Sequence, residues 1–511
     1  MWLINTQTLR LEYFVNHETV QYIILSHTWE DEEMTFQEFH DLSTASTRKG
    51  FAKIKGTCRL ARSQGYSYAW VDTCCIDKTS SAELSEAINS MFRWYKDAQC
   101  CYAYLSDFDR HQVDDTLGEC RWFSRGWTLQ ELIAPTTLTF YNRHWEALGS
   151  KGELSQCLTN ITGISKDVLL GKCALSSVPV ASRMSWAAGR KTSRPEDIAY
   201  CLFGIFDVNM PMLYGEGQKA FLRLQEKICQ RVADLTLFAW KTERREGNRG
   251  IFALHPDEFA HVLLPLAGFA SYTGEMRLTN RGVRFDDIEL SIVSGEGLFM
   301  SLDFFFWDSE WRRICEGGIF LRNTPEGYVR TKTDILYPLT YWRTKLPPDQ
   351  INVVAHAASM GNAVTPRLSL GILTEGIPTI TDVCPRKLWD LYRREFLIEM
   401  TREVEVVGLV MMRAFLTSCP IALLFWVTDH VAFDFVDERW AAWPNIVSHA
   451  GKPNLDPSFK GTIMKHLNCG KNHDSSVDQG KFSSRHYVGE NWFGIRGRVR
   501  EVKARRKRTP E

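Results

Sequence analysis

The segment with the most distinctive chemistry is Trp122–Pro135, which reads WFSRGWTLQELIAP and places one acid, Glu131, among two tryptophans and an arginine. Strand-like runs lie directly before and after it, at Cys100–Leu105 and Thr137–Tyr141. An acid on a short helix between two buried strands lies where α/β folds commonly place groups that contact a ligand. Glu131 is therefore the leading candidate for a catalytic residue, as an edge carboxylate with few core contacts, and a merely solvated helix acid is the alternative.

Three apolar runs stop abruptly at polar residues that could contact a ligand. Tyr22–Leu25 ends at Ser26, Tyr68–Val71 ends at Asp72, and Cys100–Leu105 ends at Ser106. Runs that are apolar throughout are typical of strands buried on both faces. Helical patterns separate them, which predicts a mainly parallel sheet within residues 1–150. Ligands bind beyond the carboxyl ends of such strands, and the candidate ligand-binding residues there are Ser26, His27, Trp29, Asp72, Asp77 and Trp127.

A helix is predicted between the second and third of these strands. Ser80 and Glu83 form a capping-box pattern, which indicates that the helix begins there. Leu84, Ile88, Met91 and Tyr95 then recur on one helical face. We expect a helix from about Ser81 to Asp97 that packs Leu84, Ile88 and Met91 against the sheet.

These segments together resemble the fungal heterokaryon-incompatibility (HET) domain. The resemblance rests on LSHTW (Leu25–Trp29), WVDTCCIDK (Trp70–Lys78), Ser80–Asp107 and SRGWTLQELIAP (Ser124–Pro135). The opening MWLINTQTLRLEYF and the later segment Ser193–Ile228 are also similar to that family, so the resemblance covers roughly the first 235 residues. It implies a protein of vegetative incompatibility that recognises non-self after hyphal fusion and triggers programmed cell death, a form of fungal innate immunity.

HET domains are themselves thought to be distant relatives of TIR domains, which are flavodoxin-like signalling modules. Some TIR domains cleave NAD with a helix glutamate as the catalytic acid, and that glutamate corresponds here to Glu131. The chain departs from the TIR pattern in spacing, because the loop Asp107–Arg121 is long and several residues separate Trp127 from Glu131.

The resemblance leaves two functions open. In the first, the protein cleaves the nicotinamide–ribose bond of NAD, which builds oxocarbenium character that a carboxylate such as Glu131 stabilises. His27, Asp72 and Asp77 would shape the ribose and phosphate ends, and Trp29 or Trp127 would stack on the bases. NAD would then be a substrate, with no tightly bound cofactor. In the second, the HET domain is a non-enzymatic adaptor that oligomerises, and its partners are further copies of itself or the products of non-self alleles.

The composition of the chain indicates which partners, cellular location and metal sites to expect. The chain has 61 basic and 61 acidic residues, so no net charge points to nucleic acid or to an anionic membrane. Its 14 cysteines without a secretion signal are typical of reduced thiols, which predicts a cytoplasmic location. The adjacent pairs Cys74-Cys75 and Cys100-Cys101 lack zinc-ligand spacing, so no metal site is expected. Lys78 could lower the pKa of the Cys74 thiol, which makes a nucleophilic cysteine a minor alternative.

The length of 511 residues suggests several domains. We predict a HET domain of flavodoxin or TIR-like α/β fold at 1–150, a helical extension at 151–234 and a β-rich domain at 235–465. A polar, basic and disordered tail is expected at 466–511. Val406–Val427 is apolar, but Arg413 and Pro420 interrupt it, so it is predicted as two buried strands or a strand–helix pair and not as a membrane span.

Overall fold

The computed structural model describes two parts of the chain at different levels of detail. It describes residues 1–40, 48–243, 248–261, 272–293, 297–307, 313–324, 327–336, 343–346 and 349–355. After residue 366 it describes the backbone of ten strands. Within the first part, buried side chains from Met1 to Val353 belong to one hydrophobic core.

A sheet with a parallel centre organises the first 150 residues. Its strands occur in the order β2-β1-β4-β3-β5-β6-β7. They are β1 Trp2–Asn5, β2 Leu11–Tyr13, β3 Tyr22–His27, β4 Tyr68–Trp70, β5 Cys100–Tyr104, β6 Leu138–Tyr141 and β7 Ala147–Ser150. β3 pairs in parallel with β4 and β5, and β5 pairs in parallel with β6. The other pairs, β1–β2, β1–β4 and β6–β7, are antiparallel, so the predicted parallel sheet is present but has antiparallel edges.

Short and long helices cover this sheet and continue beyond it. In the described part of residues 1–150 they are α1 Phe36–His40, α2 Phe51–Ser63, α3 Ser81–Asp97, α4 Arg121–Ser124 and α5 Thr128–Ile133. The predicted helical extension contains α6 Ser155–Thr162, α7 Lys166–Leu169, α8 Val180–Ser185, α9 Asp197–Tyr200, α10 Phe203–Phe206 and α11 Lys219–Arg231. Single 3-10 turns lie at His17–Thr19, Asp115–Glu119, Leu175–Ser177, Leu235–Phe238 and Pro256–Phe259.

The helix α3 begins where the sequence predicts it. The Ser80 side chain accepts a hydrogen bond from the Glu83 backbone at 3.3 Å, and Ile88 and Met91 are buried. Leu84 is only partly buried. The Glu83 carboxylate accepts from Trp2 Nε1 at 3.0 Å, so it fastens β1 to the start of α3.

Antiparallel strands dominate after residue 275. One sheet has the order β14-β10-β11-β12-β13-β15-β9-β8, and only its β13–β15 pair is parallel. These strands are β8 Met276–Thr279, β9 Gly282–Ile288, β10 Leu290–Val293, β11 Gly297–Trp307, β12 Arg313–Thr324, β13 Gly327–Thr331, β14 Arg343–Lys345 and β15 Asp349–Val353.

The remaining strands form two further sheets, in the orders β18-β19-β16-β25-β24-β23 and β17-β20-β21-β22. They are β16 Arg367–Thr374, β17 Thr379–Cys384, β18 Trp389–Asp390, β19 Glu395–Glu399, β20 Val406–Arg413, β21 Pro420–Val427, β22 Val431–Asp437, β23 Asp474–Asp478, β24 Lys481–Val488 and β25 Asn491–Val502. The apolar segment at 406–427 is thus the antiparallel pair β20–β21. Of the helices that the structure describes, none has the length and apolar character to cross a membrane.

The predicted disordered tail at 466–511 overlaps three of these strands. β23, β24 and β25 pair with one another in antiparallel fashion within it, and the residues between and after them lie outside the described part of the chain. The division of the chain into four domains stays a prediction.

Candidate functional site

The carboxyl end of β3 divides the candidate site into two halves. Ser26 and His27 were expected to follow the strand, but they are its last two residues and pair with Ala103 and Tyr104 of β5. The parallel pairing extends to His27 because β5 continues as far as Tyr104, with which His27 pairs. Successive side chains of a strand point to opposite faces of the sheet. Ser26 therefore meets α4 and α5, whereas His27 meets α2 and the loop after β4.

The first half, which we call the inner cluster, consists of Ser26, Tyr95, Trp122 and Glu131, all buried. Trp122 Nε1 donates to Ser26 Oγ at 2.8 Å, and the Ser26 hydroxyl donates to the Glu131 carboxyl. The Tyr95 hydroxyl donates to the backbone oxygen of Leu25 at 3.0 Å and also hydrogen-bonds Glu131. These contacts join β3, α3, α4 and α5 around one acid.

Glu131 is a buried acid, with 7% of its surface exposed. Burial raises the pKa of Glu131 to about 8, although its hydrogen bond with Ser26 acts in the opposite direction. The nearby charge of Asp72 raises this pKa further. The expectation of an edge carboxylate with few core contacts is therefore wrong, because the side chain is buried and accepts a hydrogen bond from the Ser26 hydroxyl. At neutral pH Glu131 is mostly protonated.

The second half, the outer cluster, consists of His27, Trp29, Lys53, Asp72 and Lys78. Lys53 Nζ lies 3.2 Å from His27 Nδ1 and 3.3 Å from the Thr28 backbone oxygen, and it is also paired with the Glu33 carboxylate. An ammonium group only donates hydrogen bonds, so His27 Nδ1 must accept. His27 Nε2 then donates to Asp72 Oδ1 at 3.1 Å. Both ring nitrogens of His27 are thus occupied.

Asp72 is the charged centre of the outer cluster. Its second oxygen, Oδ2, accepts from Trp29 Nε1 at 2.9 Å. Burial alone would raise the pKa of Asp72, but the hydrogen bond from His27 and the charge of Lys78 hold it well below its usual range. Asp72 consequently stays ionised and fixes the orientation of both His27 and Trp29.

Two predicted site residues lie apart from both clusters. Asp77 accepts hydrogen bonds from Gln37 Nε2 at 2.6 Å and from the Thr79 backbone at 2.9 Å, which hold the turn before α3. Trp127 is partly buried and hydrogen-bonds the Asp197 carboxylate at the start of α9. The structure thus brings together Ser26, His27, Trp29, Asp72 and Glu131, whereas Asp77 and Trp127 have local partners of their own.

The helical extension also contacts the segment that carries Glu131. The buried Arg190 donates through Nη1 to the Arg125 backbone oxygen at 3.0 Å and to Thr128 Oγ1 at 3.2 Å. The next residue, Lys191, exchanges backbone hydrogen bonds with Ser124 and Gly126, at 2.7 and 2.8 Å. The position of α5 therefore depends on residues far along the chain.

The sequence did not predict that four further residues take part in the site. They are Lys53, Tyr95, Trp122 and Arg190. Tyr95 and Trp122 were recognised as helix or motif residues, but nothing in the sequence indicates that they hydrogen-bond Leu25 and Ser26. Lys53 precedes the buried Ile54 on α2. Many exposed lysines stand next to a core residue in the same way. No local signal distinguishes Lys53 as buried.

The alternative of a nucleophilic cysteine finds no support. Cys74 is fully buried, and burial raises the pKa of its thiol well above the usual value. Any lowering of this pKa by Lys78 is outweighed, because desolvation and the neighbouring Cys75 and Asp72 all favour the protonated thiol.

Comparison with known proteins gives three findings. The family described as "Heterokaryon incompatibility protein (HET)" matches residues 22–117, and "Domain of unknown function (DUF8212)" matches residues 219–254. The chain is 47% identical over 218 residues to "Vegetative incompatibility protein HET-E-1" of Podospora anserina, a match that covers 40% of this chain. The chain spans only 16% of the length of that relative. No solved structure matches.

Proposed function

Because this chain is a HET-domain protein, we propose that it acts in vegetative incompatibility and kills the cell by cleaving NAD. The reaction would break the nicotinamide–ribose bond with water, and it would give nicotinamide, ADP-ribose and a proton. Its similarity to a protein named for vegetative incompatibility supports the biological role. The chemistry of the inner cluster supports the reaction.

The order of the central strands supports a flavodoxin or TIR-like fold. Numbered by their order in the chain, the parallel strands β3, β4, β5 and β6 stand as 2-1-3-4 across the sheet. Flavodoxin-like sheets have this order, and they bind ligands where the first and third strands diverge. That point is the carboxyl end of β3 and β5, where Ser26 and His27 lie.

One observation carries the proposed reaction, namely that the buried Glu131 carboxyl is hydrogen-bonded to Ser26 at this switch point, where burial raises its pKa. Strongly perturbed acids at strand ends are typical of functional sites. Positive charge develops on the ribose as the bond to nicotinamide breaks. This charge would favour ionisation of Glu131, and the resulting carboxylate would act in a site of low dielectric, where it stabilises the transition state strongly.

We also propose that the resting protein has little activity. Glu131 is only 7% exposed, so a ligand reaches it only after the side chains around Ser26 move. A recognition signal, or a high concentration of the protein, would then open the inner cluster and start NAD cleavage. A death effector needs such control, since continuous NAD cleavage would kill the cell that makes it.

A second candidate function is a non-enzymatic adaptor, and a specific observation favours it. The hydrogen bonds of the inner cluster join β3, α3, α4 and α5, and both ring nitrogens of His27 are occupied. A purely structural site would have these contacts. In that case the HET domain would act by self-association or by recruiting other proteins.

Expression in a filamentous fungus separates the two functions. We would compare the unchanged protein with Glu131→Gln and with a matched control, Glu18→Gln, which makes the same change on an exposed turn. Cell death and cellular NAD would be followed together, at equal protein levels. The proposal expects death with NAD loss for the unchanged protein and for Glu18→Gln, and neither for Glu131→Gln. A soluble Glu131→Gln protein that still kills while NAD stays constant would overturn it in favour of the adaptor.

A further inference from the structure

We propose that Trp29, Lys78 and Arg125 form a platform that binds a nucleotide, with the base on the indole ring and the phosphates on the two cations. We call these three residues the nucleotide platform. The inference relies on the proposed function only for the choice of NAD as the physiological ligand. The platform could bind a nucleotide whether or not Glu131 is catalytic.

The indole ring of Trp29 is both accessible and fixed in place. Trp29 is 39% exposed, although it lies directly beyond a buried strand. Its Nε1 donates to Asp72 Oδ2 at 2.9 Å, which holds the ring in one orientation. An exposed, oriented aromatic face is the surface on which nucleotide bases stack.

Two cations lie beside this ring, and neither forms a salt bridge within the described ranges, although the charge of Asp72 acts on Lys78. Lys78 Nζ is 3.8 Å from the ring centroid, and Arg125 Cζ is 5.4 Å from it. Within the described ranges neither side chain makes a salt bridge or a hydrogen bond, and both oxygens of the nearby Asp72 are occupied by His27 and Trp29. Two like charges held this close repel each other, and an anion between them relieves that repulsion.

The chemistry of the three side chains specifies the class of ligand. Arginine and lysine are the residues that bind phosphate, arginine through its planar fork and lysine as a compact charge. Lys78 is exposed on a flexible stem, so it can leave the ring face for a phosphate while a base takes its place. A ligand that satisfies all three groups carries a planar base and phosphate, as a nucleotide does.

The position of the platform connects it to the proposed reaction. Trp29 follows β3, Lys78 lies in the loop after β4, and Arg125 links α4 to α5, which carries Glu131. The charge of Arg125 acts on Glu131 and also on Lys78. A dinucleotide held by its phosphates between Lys78 and Arg125 would thus have its second half beside the inner cluster.

Calorimetric titration of the full chain tests this inference independently of catalysis. The parent protein is Glu131→Gln, which removes turnover on the proposed mechanism, and the ligands are ADP-ribose and adenosine. Lys78→Gln and Arg125→Gln should each weaken ADP-ribose binding about tenfold, as expected for the loss of one charged contact. Neither change should alter the affinity for adenosine by more than about twofold, whereas Trp29→Ala should weaken the binding of both ligands.

A matched control is Lys55→Gln, because Lys55 is also exposed and lies 5.5 Å over an aromatic ring, that of Phe51. It should leave the ADP-ribose affinity unchanged. The inference is overturned if the folded parent protein does not bind ADP-ribose at millimolar concentration, or if the Lys78→Gln/Arg125→Gln double variant binds it as tightly as the parent. Binding by the platform without NAD cleavage by the unchanged protein would instead reject only the proposed reaction.

Discussion

Ser26 and His27 are adjacent residues of β3, and the side chains around them differ in how they pair buried charges. On the side of Ser26, the inner cluster surrounds its single acid, Glu131, with neutral hydroxyl and indole groups. On the side of His27, the outer cluster pairs each buried charge, Lys53 with Glu33 and Asp72 with His27. Burial acts on both sides, yet the pKa of Glu131 rises and that of Asp72 falls.

The difference shows that hydrogen-bonding and charged partners, and not burial alone, set the charge states of Glu131 and Asp72. An acid without a paired cation stays protonated until a positive ligand approaches, so its charge can change during a reaction. A carboxylate held by a histidine and a tryptophan keeps its charge and its position. The inner cluster is therefore suited to chemistry, and the outer cluster to orienting what binds.

The largest expected effect is on stability, and it distinguishes the two tryptophans of the site. Trp122 is fully buried against Phe123 and Phe140, so Trp122→Ala should cost roughly 3–5 kcal/mol. Trp29→Ala removes a half-exposed ring and should cost about 1 kcal/mol. Urea denaturation of both variants measures the two losses. Equal losses would show that the inner and outer clusters do not differ in packing as described.

A smaller loss is expected when the outer cluster loses its buried cation. Lys53→Met leaves the Glu33 carboxylate, which is 12% exposed, without its partner and removes the hydrogen bond to His27. Breaking a buried pair in this way should cost roughly 3 kcal/mol. The double variant Glu33→Gln/Lys53→Met should regain much of that stability, because no unpaired charge remains. If the double variant is no more stable than Lys53→Met, the pair is not the cause of the loss.

The smallest effect is a loss of stability with rising pH that Glu131 in the inner cluster should cause. The pKa of Glu131 is about 8 in the folded protein and near its ordinary value of 4.5 in the unfolded chain. Below pH 4.5 both states hold the proton, so the full stability is present. As the pH rises toward 8 the unfolded chain releases this proton first, and the folded state is progressively disfavoured.

Glu131→Gln has no such proton to lose. Between pH 5 and pH 7 the unchanged protein should therefore lose stability relative to this variant, by on the order of 2 kcal/mol. Thermal unfolding of both proteins across that range measures the difference. If the stabilities of the two proteins change with pH in the same way, Glu131 is already ionised in the folded protein. That result would contradict its description as a neutral acid.

Much of this arrangement is predictable from the sequence, because it depends on local patterns. The apolar runs locate β3, β4, β5 and β6, and the Ser80–Glu83 pattern locates the start of α3. Their polar ends predict that Ser26, His27, Asp72, Asp77 and Glu131 lie at one edge of the sheet. The structure joins Ser26 to Glu131 and His27 to Asp72, on opposite faces of β3, whereas Asp77 has other partners. The flavodoxin or TIR-like assignment, the role of Glu131 in NAD cleavage and the limits of the domains stay predictions.

What the sequence could not reveal depends on contacts between distant parts of the chain. The inner cluster joins Glu131 to Ser26 and Ser26 to Trp122, which are 96 residues apart, and His27 Nδ1 lies beside Lys53 on α2. Arg190 reaches the Glu131 segment from the helical extension, 65 residues beyond Arg125. Hydrophobic periodicity carries no information about such polar pairings. It also does not pair Trp127 with Asp197, which lies far along the chain in the helical extension.

The most direct test of the central claim is an assay of NAD cleavage by the purified full chain at high concentration. We predict that the unchanged protein and Glu18→Gln release nicotinamide and ADP-ribose in equal amounts as NAD disappears. Glu131→Gln should release neither, although it remains folded. Equal NAD cleavage by Glu131→Gln, or no cleavage by the unchanged protein at any concentration, would contradict the assignment of Glu131 as the catalytic acid.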